Sequence, residues 1–320
     1  MREITLINAV KEAYIEEMER DESVFMVGQD LRGGIFNHTK GLYEQFGDRI
    51  VDTPISESGM YGTAFGAAQT GEYRPIVDFM FAGFSMVTFS EVSVTTGQQY
   101  FLHGGKTPMP IVITAAMGTG GRLANDHAMS VMGAYLRQPG IKVAFASCPA
   151  DAKGLMKAAI RENNPVFIPF HMGLQSEVGP VPDGDHVVPL GVADVKREGS
   201  DVTVLASGMQ TKFSLMAAEK LKGEFSVEVV DPRTLDPFDM PLLLKSLEKT
   251  NRLVIVDEDW ENSGFASTIS ARVVEEGFDL LDAPIRRVCF PNMPIPGGYM
   301  EPYIMPNADK IEAAIRDVCA

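Results

Sequence analysis

Basic residues are scarce in this chain. Lys plus Arg number 28 against 43 Asp plus Glu, a formal net charge of −15. No stretch gathers the basic ones into a patch, so neither a nucleic acid nor an anionic membrane surface is the expected partner. Cysteine is nearly missing. Cys148, Cys289 and Cys319 lie too far apart for a C-x-x-C metal or redox motif. So odd and sparse a set argues against a disulfide framework and for a reducing compartment. Long apolar runs are missing as well: the greasiest window, PIVDFMFAGFSMVTF from Pro75 to Phe89, carries Asp78 and is too short to span a bilayer. It reads as a buried strand running into a packed helix. MREITLINAVKEAY shows no apolar core ahead of a small-residue cleavage site, and the expected location is cytoplasmic.

What is present is globular composition, 45% hydrophobic and 22% charged over 320 residues, which excludes a disordered chain and leaves room for two domains. Leu6, Ala9, Val10, Ala13 and Met18 share a helical face behind Thr5, a candidate N-cap. Short apolar runs then alternate with helical segments. VFMVG (24–28), RIVDTP (49–54), RPIVDFM (74–80), PIVITAA (110–116), KVAFAS (142–147) and PVFIPF (165–170) read as strands. Residues 39–46 and 149–163 read as helices, the latter with Pro149 in its first turn. From Gly173 to Gly199 the rhythm fails in a Pro- and Gly-rich stretch that reads as a linker or excursion. It resumes with DVTVLASG, SVEVVD, RLVIVDE and RRVCF separated by helices. Nearly unbroken apolar strands between helices indicate mainly parallel sheets covered on both faces. The expected fold class is therefore α/β in two domains, residues 1–186 and 187–320.

Common site motifs are absent. GTGGR (118–122) follows a strand, but Leu123 stands where a dinucleotide fingerprint needs its last glycine, and there is no G-K-[ST]. The cluster reads as a loop that brings backbone close to something. No H-E-x-x-H, Cys/His cluster or G-x-S-x-G occurs. Residues 53–68, TPISESGMYGTAFGAA, are more informative. Glu57 opens a helix crowded with Gly59, Gly62, Ala64, Gly66, Ala67 and Ala68. Each helical glycine costs about 1 kcal/mol relative to alanine, so this density calls for a closely approaching backbone. On local grounds alone, the favoured role for Glu57 is the ordinary one of complementing the helix dipole and capping amides. His127 follows the glycine loop, at the carboxyl edge where parallel sheets place ligands. Asp126 beside it either orients it or belongs to a helix cap.

The chain resembles, over nearly its full length, the β subunit of the thiamine-diphosphate-dependent E1 component of 2-oxoacid dehydrogenase complexes, including pyruvate, branched-chain and acetoin members. The resemblance lies in DTPISESGMYGTAFGAA, RPIVDFM, the F-x-x-F-S-M stretch ending at Met86, HGGKTPMPIVI, DAKGLMKAAIRENNPV, VVDPRTLDPFD, LVIVDEDWENSGF and PNMPIPGGYMEPYIMPNADKI. It implies a transketolase-like pyrimidine-binding domain followed by a transketolase C-terminal domain. It implies that Glu57 contacts N1′ of the aminopyrimidine and shares a proton with it, that Phe84 packs on that ring, and that His127 handles substrate and acyl transfer to the lipoyl group of E2. It also implies decarboxylation of a 2-oxoacid, or cleavage of acetoin, on the thiazolium as electron sink. The diphosphate and its Mg²⁺ belong, in such enzymes, to a G-D-G motif on an α subunit. No G-D-G occurs here, so an α₂β₂ heterotetramer is implied. A K⁺ site of backbone carbonyls in relatives matches Ile111, Ala159, Ile160, Glu162 and Asn164.

The chain departs from the family pattern around the substrate. Asp126, Ala128 and Met129 replace Gln and Ser-Gln around the histidine; Val87 stands for a glutamine and Thr114 for an arginine. These changes point to a different acyl donor or to a paralogue that does not serve a standard lipoyl-E2. The competing readings are half of another split thiamine-diphosphate enzyme of transketolase type, and a non-catalytic structural or regulatory subunit. ISESGM in place of the I-A-E-Q-N-M of split transketolases counts against the first, and retention of Glu57 against the second.

Overall fold

Thr5 turns the chain into its first helix: its hydroxyl accepts the Asn8 amide, and Leu6, Ala9, Val10, Ala13 and Met18 behind it are all buried. The computed structural model describes residues 1–320. The first half holds strands β1 (Arg2–Thr5), β2 (Val24–Gly28), β3 (Ile50–Asp52), β4 (Arg74–Phe81), β5 (Val112–Met117), β6 (Lys142–Ala144), β7 (Val166–Phe167), β8 (Phe170–His171) and β9 (Val178–Val181). Its helices are α1 (Leu6–Arg20), α2 (Leu42–Phe46), α3 (Glu57–Gln69), α4 (Gly97–Leu102), α5 (Asn125–Ala128), α6 (Met132–Leu136) and α7 (Pro149–Arg161). The second half holds β10 (Asp194–Arg197), β11 (Val202–Ala206), β12 (Val227–Asp231), β13 (Thr234–Asp236), β14 (Leu253–Trp260) and β15 (Arg286–Phe290). Helices α8 (Met209–Leu221), α9 (Met240–Thr250), α10 (Phe265–Gly277), α11 (Glu301–Ile304) and α12 (Ala308–Cys319) complete it.

Two sheets result. The larger runs β13-β6-β7-β5-β4-β2-β3, with β8 also paired to β5; the smaller runs β10-β12-β11-β14-β15. Within the two large sheets all pairings are parallel except those of β10 and β13. Strands β5, β11 and β12 are buried at every residue, as unbroken apolar runs require when helices cover both faces. No helix is long and apolar enough to cross a membrane.

The structure departs from the sequence expectation in four places. The stretch 173–199 is not a plain linker: β9 pairs antiparallel with β1, and β10 forms an edge of the second sheet. The run 165–170 splits into β7 and β8 around Pro169, which has no amide for the ladder. The helix expected over 39–46 begins only at Leu42, after the left-handed Gly41. Finally, β13 comes from the second half yet pairs with β6 of the first sheet. The largest apolar cluster also crosses the halves, joining Val27, Phe79 and Ile113 to Leu205, Ile255 and Phe265.

Helices α1 and α7 pack through buried charge. The fully buried Glu17 side chain accepts Arg20 Nε at 2.8 Å, and Arg161 Nε and Nη2 at 2.9 and 2.7 Å. Removing one partner of such a set leaves the others uncompensated. Glu17→Ala should therefore lose about 3 kcal/mol of stability, read as a lower urea midpoint with the far-ultraviolet spectrum of the native chain preserved.

Candidate active site

Strand β3 ends at Asp52, the chain passes Pro54, and α3 begins at Glu57 behind the N-cap Ser56. Ser56 makes no side-chain capping bond, and the half-buried Glu57 carboxylate takes no hydrogen bond from the helix, so capping does not occupy it. Met60, Tyr61, Ala64 and Ala68 bury one face of α3. The opposite face, with Gly62 and Gly66, is bare: a Cβ at either position would meet no atom within 4 Å. The close backbone approach that these glycines suggested is thus not made by this chain.

A 3₁₀ turn over Ala82–Thr88 follows β4, and both α3 and α5 pack on it. It brings Phe84 beside His127. The His127 ring lies edge-on to Phe81 and Phe84, with centroids 4.5 and 5.4 Å away. Its Nδ1 is 3.1 Å from Asp126 Oδ2, outside hydrogen-bonding direction. The exposed Asp126 is held below the usual carboxylate range by this neighbour. A Cβ on Gly83 would stand 2.6 Å from the Asp126 carbonyl oxygen and 3.4 Å from the Met129 side chain. Glycine at 83 therefore admits the 126–129 segment, and the departures around His127 form one packed unit.

The glycine loop meets carboxylates. Glu258 Oε1 accepts the Thr119 amide and hydroxyl, each at 2.6 Å; its Oε2 pairs with His171 Nε2 at 2.6 Å and accepts Gln210 Nε2 at 3.2 Å. Glu301 Oε1 accepts the Gly120 amide at 2.9 Å. Two loop amides are thereby unavailable to a phosphate, and two carboxylates stand beside them. Gly118, at φ +92°, leaves room for the His171 ring, which a Cβ would approach to 2.4 Å. Burial raises the Glu258 pKa, but His171 and the Thr119 donors outweigh it and hold it at about 2. Its neighbours behave differently. Burial, then the Asp259 charge, lifts Asp257 to about 7, and burial raises Asp259 too.

Two sequence families match this chain: "Transketolase, pyrimidine binding domain" over residues 2–175 and "Transketolase, C-terminal domain" over 191–311. The β subunit of acetoin:2,6-dichlorophenolindophenol oxidoreductase from Bacillus subtilis (strain 168) is 41% identical over 97% of this chain and 95% of its own length. The 2-oxoisovalerate dehydrogenase subunit beta of the same organism is 41% identical over 99% of both. The pyruvate dehydrogenase E1 component subunit beta of Rickettsia felis is 38% identical over 99% of this chain and 98% of that one. The chain belongs to the E1 β-subunit family. A solved split-gene transketolase, described as an inactive β₄ tetramer, shares the fold with a TM-score of 0.82 at 24% identity, covering 99% of this chain and 98% of that one.

Of the positions that the resemblance matched to a K⁺ site, Ile160 and Glu162 turn their carbonyls to Arg74. Arg74 donates through Nε to the Ile160 carbonyl at 2.9 Å, through Nη2 to that of Glu162 at 2.5 Å, and through Nη1 to Asn163 Oδ1 at 3.0 Å. The Ile111 carbonyl accepts the Val166 amide, the Ala159 carbonyl accepts that of Glu162, and the Asn164 side chain donates to Glu162 Oε1. Sequence reasoning missed Glu258, Asp259 and Glu301. For Glu258 and Asp259 the signal was available: LVIVDEDW is a buried strand with three consecutive acids ahead of its last residue, Trp260, a costly pattern unless each finds donors.

Asp257 sets a pH dependence. Its folded pKa lies above the unfolded value of an aspartate, so its contribution is full below about pH 4 and is lost as pH rises through about 7. Asp257→Asn should therefore raise the thermal midpoint more at pH 7 than at pH 4 in a calorimetric pH series.

Proposed function

We propose that this chain is the β half of a thiamine-diphosphate-dependent E1 enzyme, decarboxylating a 2-oxoacid or cleaving acetoin and passing the acyl group to a lipoyl-E2. The observation that carries this reading is the uncommitted Glu57 carboxylate at the start of α3, which packs on the same turn as Phe84 and His127. These residues fit the pyrimidine end of the cofactor. Bound thiamine diphosphate supplies a thiazolium that accepts the electron pair released at the cleaved carbonyl. Glu57 holds the proton at ring nitrogen N1′, where a half-buried carboxylate facing a ring nitrogen shares it readily. Phe84 covers the pyrimidine face and excludes water. His127, fixed between two phenyl edges with Nδ1 toward Asp126, keeps Nε2 for proton transfer to the lipoyl sulfur.

The diphosphate and Mg²⁺ fall to another chain. Two amides of the glycine loop are taken by Glu258 and Glu301, whose charges would repel a diphosphate placed there. That chain is an E1 α subunit, in an α₂β₂ assembly. The bare face of α3 supports a missing partner: the penalty of its glycines has no return within this chain. Of the carbonyls matched to the K⁺ cage, those of Ile160 and Glu162 accept from Arg74, and K⁺ has no step in this mechanism. The packed Gly83–Met129 unit favours a substrate or acceptor that differs from that of standard family members.

Two experiments test this. With the α subunit co-expressed and thiamine diphosphate, Mg²⁺, a 2-oxoacid panel and acetoin supplied with a dye acceptor, turnover should appear on one substrate. Glu57→Gln should reduce it by roughly a hundredfold or more, and full activity in that variant would remove Glu57 from the mechanism. Gly66→Ala should raise the thermal stability of the isolated chain, by up to about 1 kcal/mol, while weakening its association with the α subunit in sedimentation. Unchanged association would show that the bare helix face is not the interface.

A further inference from the structure

We propose that Glu301 and Glu258 are positioning residues for His127, holding its loop from the C-terminal half through backbone hydrogen bonds. This rests on the reading of His127 as the acyl-transfer group.

His127 sits on α5, a helix of four residues, too short to hold its own geometry. The backbone leading to it is strained. Arg122 has φ +57° and Ala124 has φ +71° with ψ −177°, a region that suits glycine. Such conformations persist when the surroundings over-determine them, and here the surroundings are residues of the other half. Glu258 takes the Thr119 amide and Glu301 the Gly120 amide, at 2.6 and 2.9 Å. The Gly298 amide donates to the Arg122 carbonyl at 3.0 Å, and the Ile295 amide to Asn125 Oδ1 at 3.0 Å. Beyond α5, Asp259 Oδ2 accepts the Gly133 amide at 2.9 Å. Donors and acceptors thus hold the segment on both sides of His127, before and after the strained residues.

The carboxylates are built for this task. Glu301 is 1% and Glu258 6% exposed. Glu301 Oε2 has no partner, so the single bond to Gly120 is the visible return for burying that side chain. Neither carboxylate contacts His127. They act through the backbone, and small errors in the placement of a reacting group are enough to depress rates strongly.

The test is a double-mutant cycle in the αβ enzyme, with the lipoyl domain of E2 and a dye compared as acceptors. Glu301→Ala should slow transfer to the lipoyl domain by roughly tenfold or more and change dye reduction much less. Glu301→Gln, which keeps an acceptor oxygen for Gly120, should restore most of the rate. In a His127→Ala background, Glu301→Ala should have less than about a twofold further effect, since coupled residues do not add. Equal losses in both backgrounds, or a Gln variant as slow as Ala, would overturn the positioning role while leaving His127 in place. Full lipoyl transfer by His127→Ala alone would overturn the His127 reading and this inference together. Should Glu301→Ala prove insoluble, Asn125→Ala removes the partner of the Ile295 amide and should show the same non-additivity.

Discussion

Glu258 lies between the two halves of the molecule with both oxygens engaged: the Thr119 amide and hydroxyl on one, His171 and Gln210 on the other. An isolated carboxylate in that place would be strongly disfavoured; four donors make it tolerable and turn it into a directional contact. Because the donors come from β8, from the loop after β5 and from α8, their geometry fixes the first sheet against the second. The shared apolar cluster from Val27 to Phe265 supplies non-directional adhesion across the same boundary. Adhesion alone leaves orientation open, and the carboxylates close it.

Much of the first half follows from that constraint. With the loop after β5 tied to the second half, α5 is delivered against the 82–88 turn, and Gly83 lets it settle there. The turn is also where α3 packs, so residues separated widely in sequence converge on one short element. The glycine-rich loop after β5 faces two carboxylates, which makes it a poor seat for a multiply charged anion.

The alternation of buried strands and helices was legible in the sequence, because apolar runs flanked by helical periodicity leave few other arrangements. Thr5, Pro149 and the start of α3 were legible for the same reason: capping and proline preferences act within one turn. Strands β9 and β13 were not. Val178–Val181 contains Gly and Pro, and Thr234–Asp236 spans three residues; each is a strand because a distant edge was available to pair with it. The glycine loop was half legible. Its sequence announced a close approach of backbone, but whether to a phosphate or to carboxylates depended on residues more than a hundred positions away. Glu57, Phe84 and His127 were identified through resemblance to a family, since an acid at a helix start, an aromatic and a single histidine are each ordinary when read alone.

By itself, the sequence determined the class of fold, the alternation of its main strands and helices and the absence of any phosphate or metal motif, because those properties depend on periodicity and composition over short windows. The tertiary structure alone decided where the acids of LVIVDEDW point, that Arg74 donates to the carbonyls of Ile160 and Glu162 at the end of α7, and that the glycines of α3 face outward. Hydrogen bonds and packing contacts join residues by distance in space, and chain position carries no measure of that distance until the sheets are assembled.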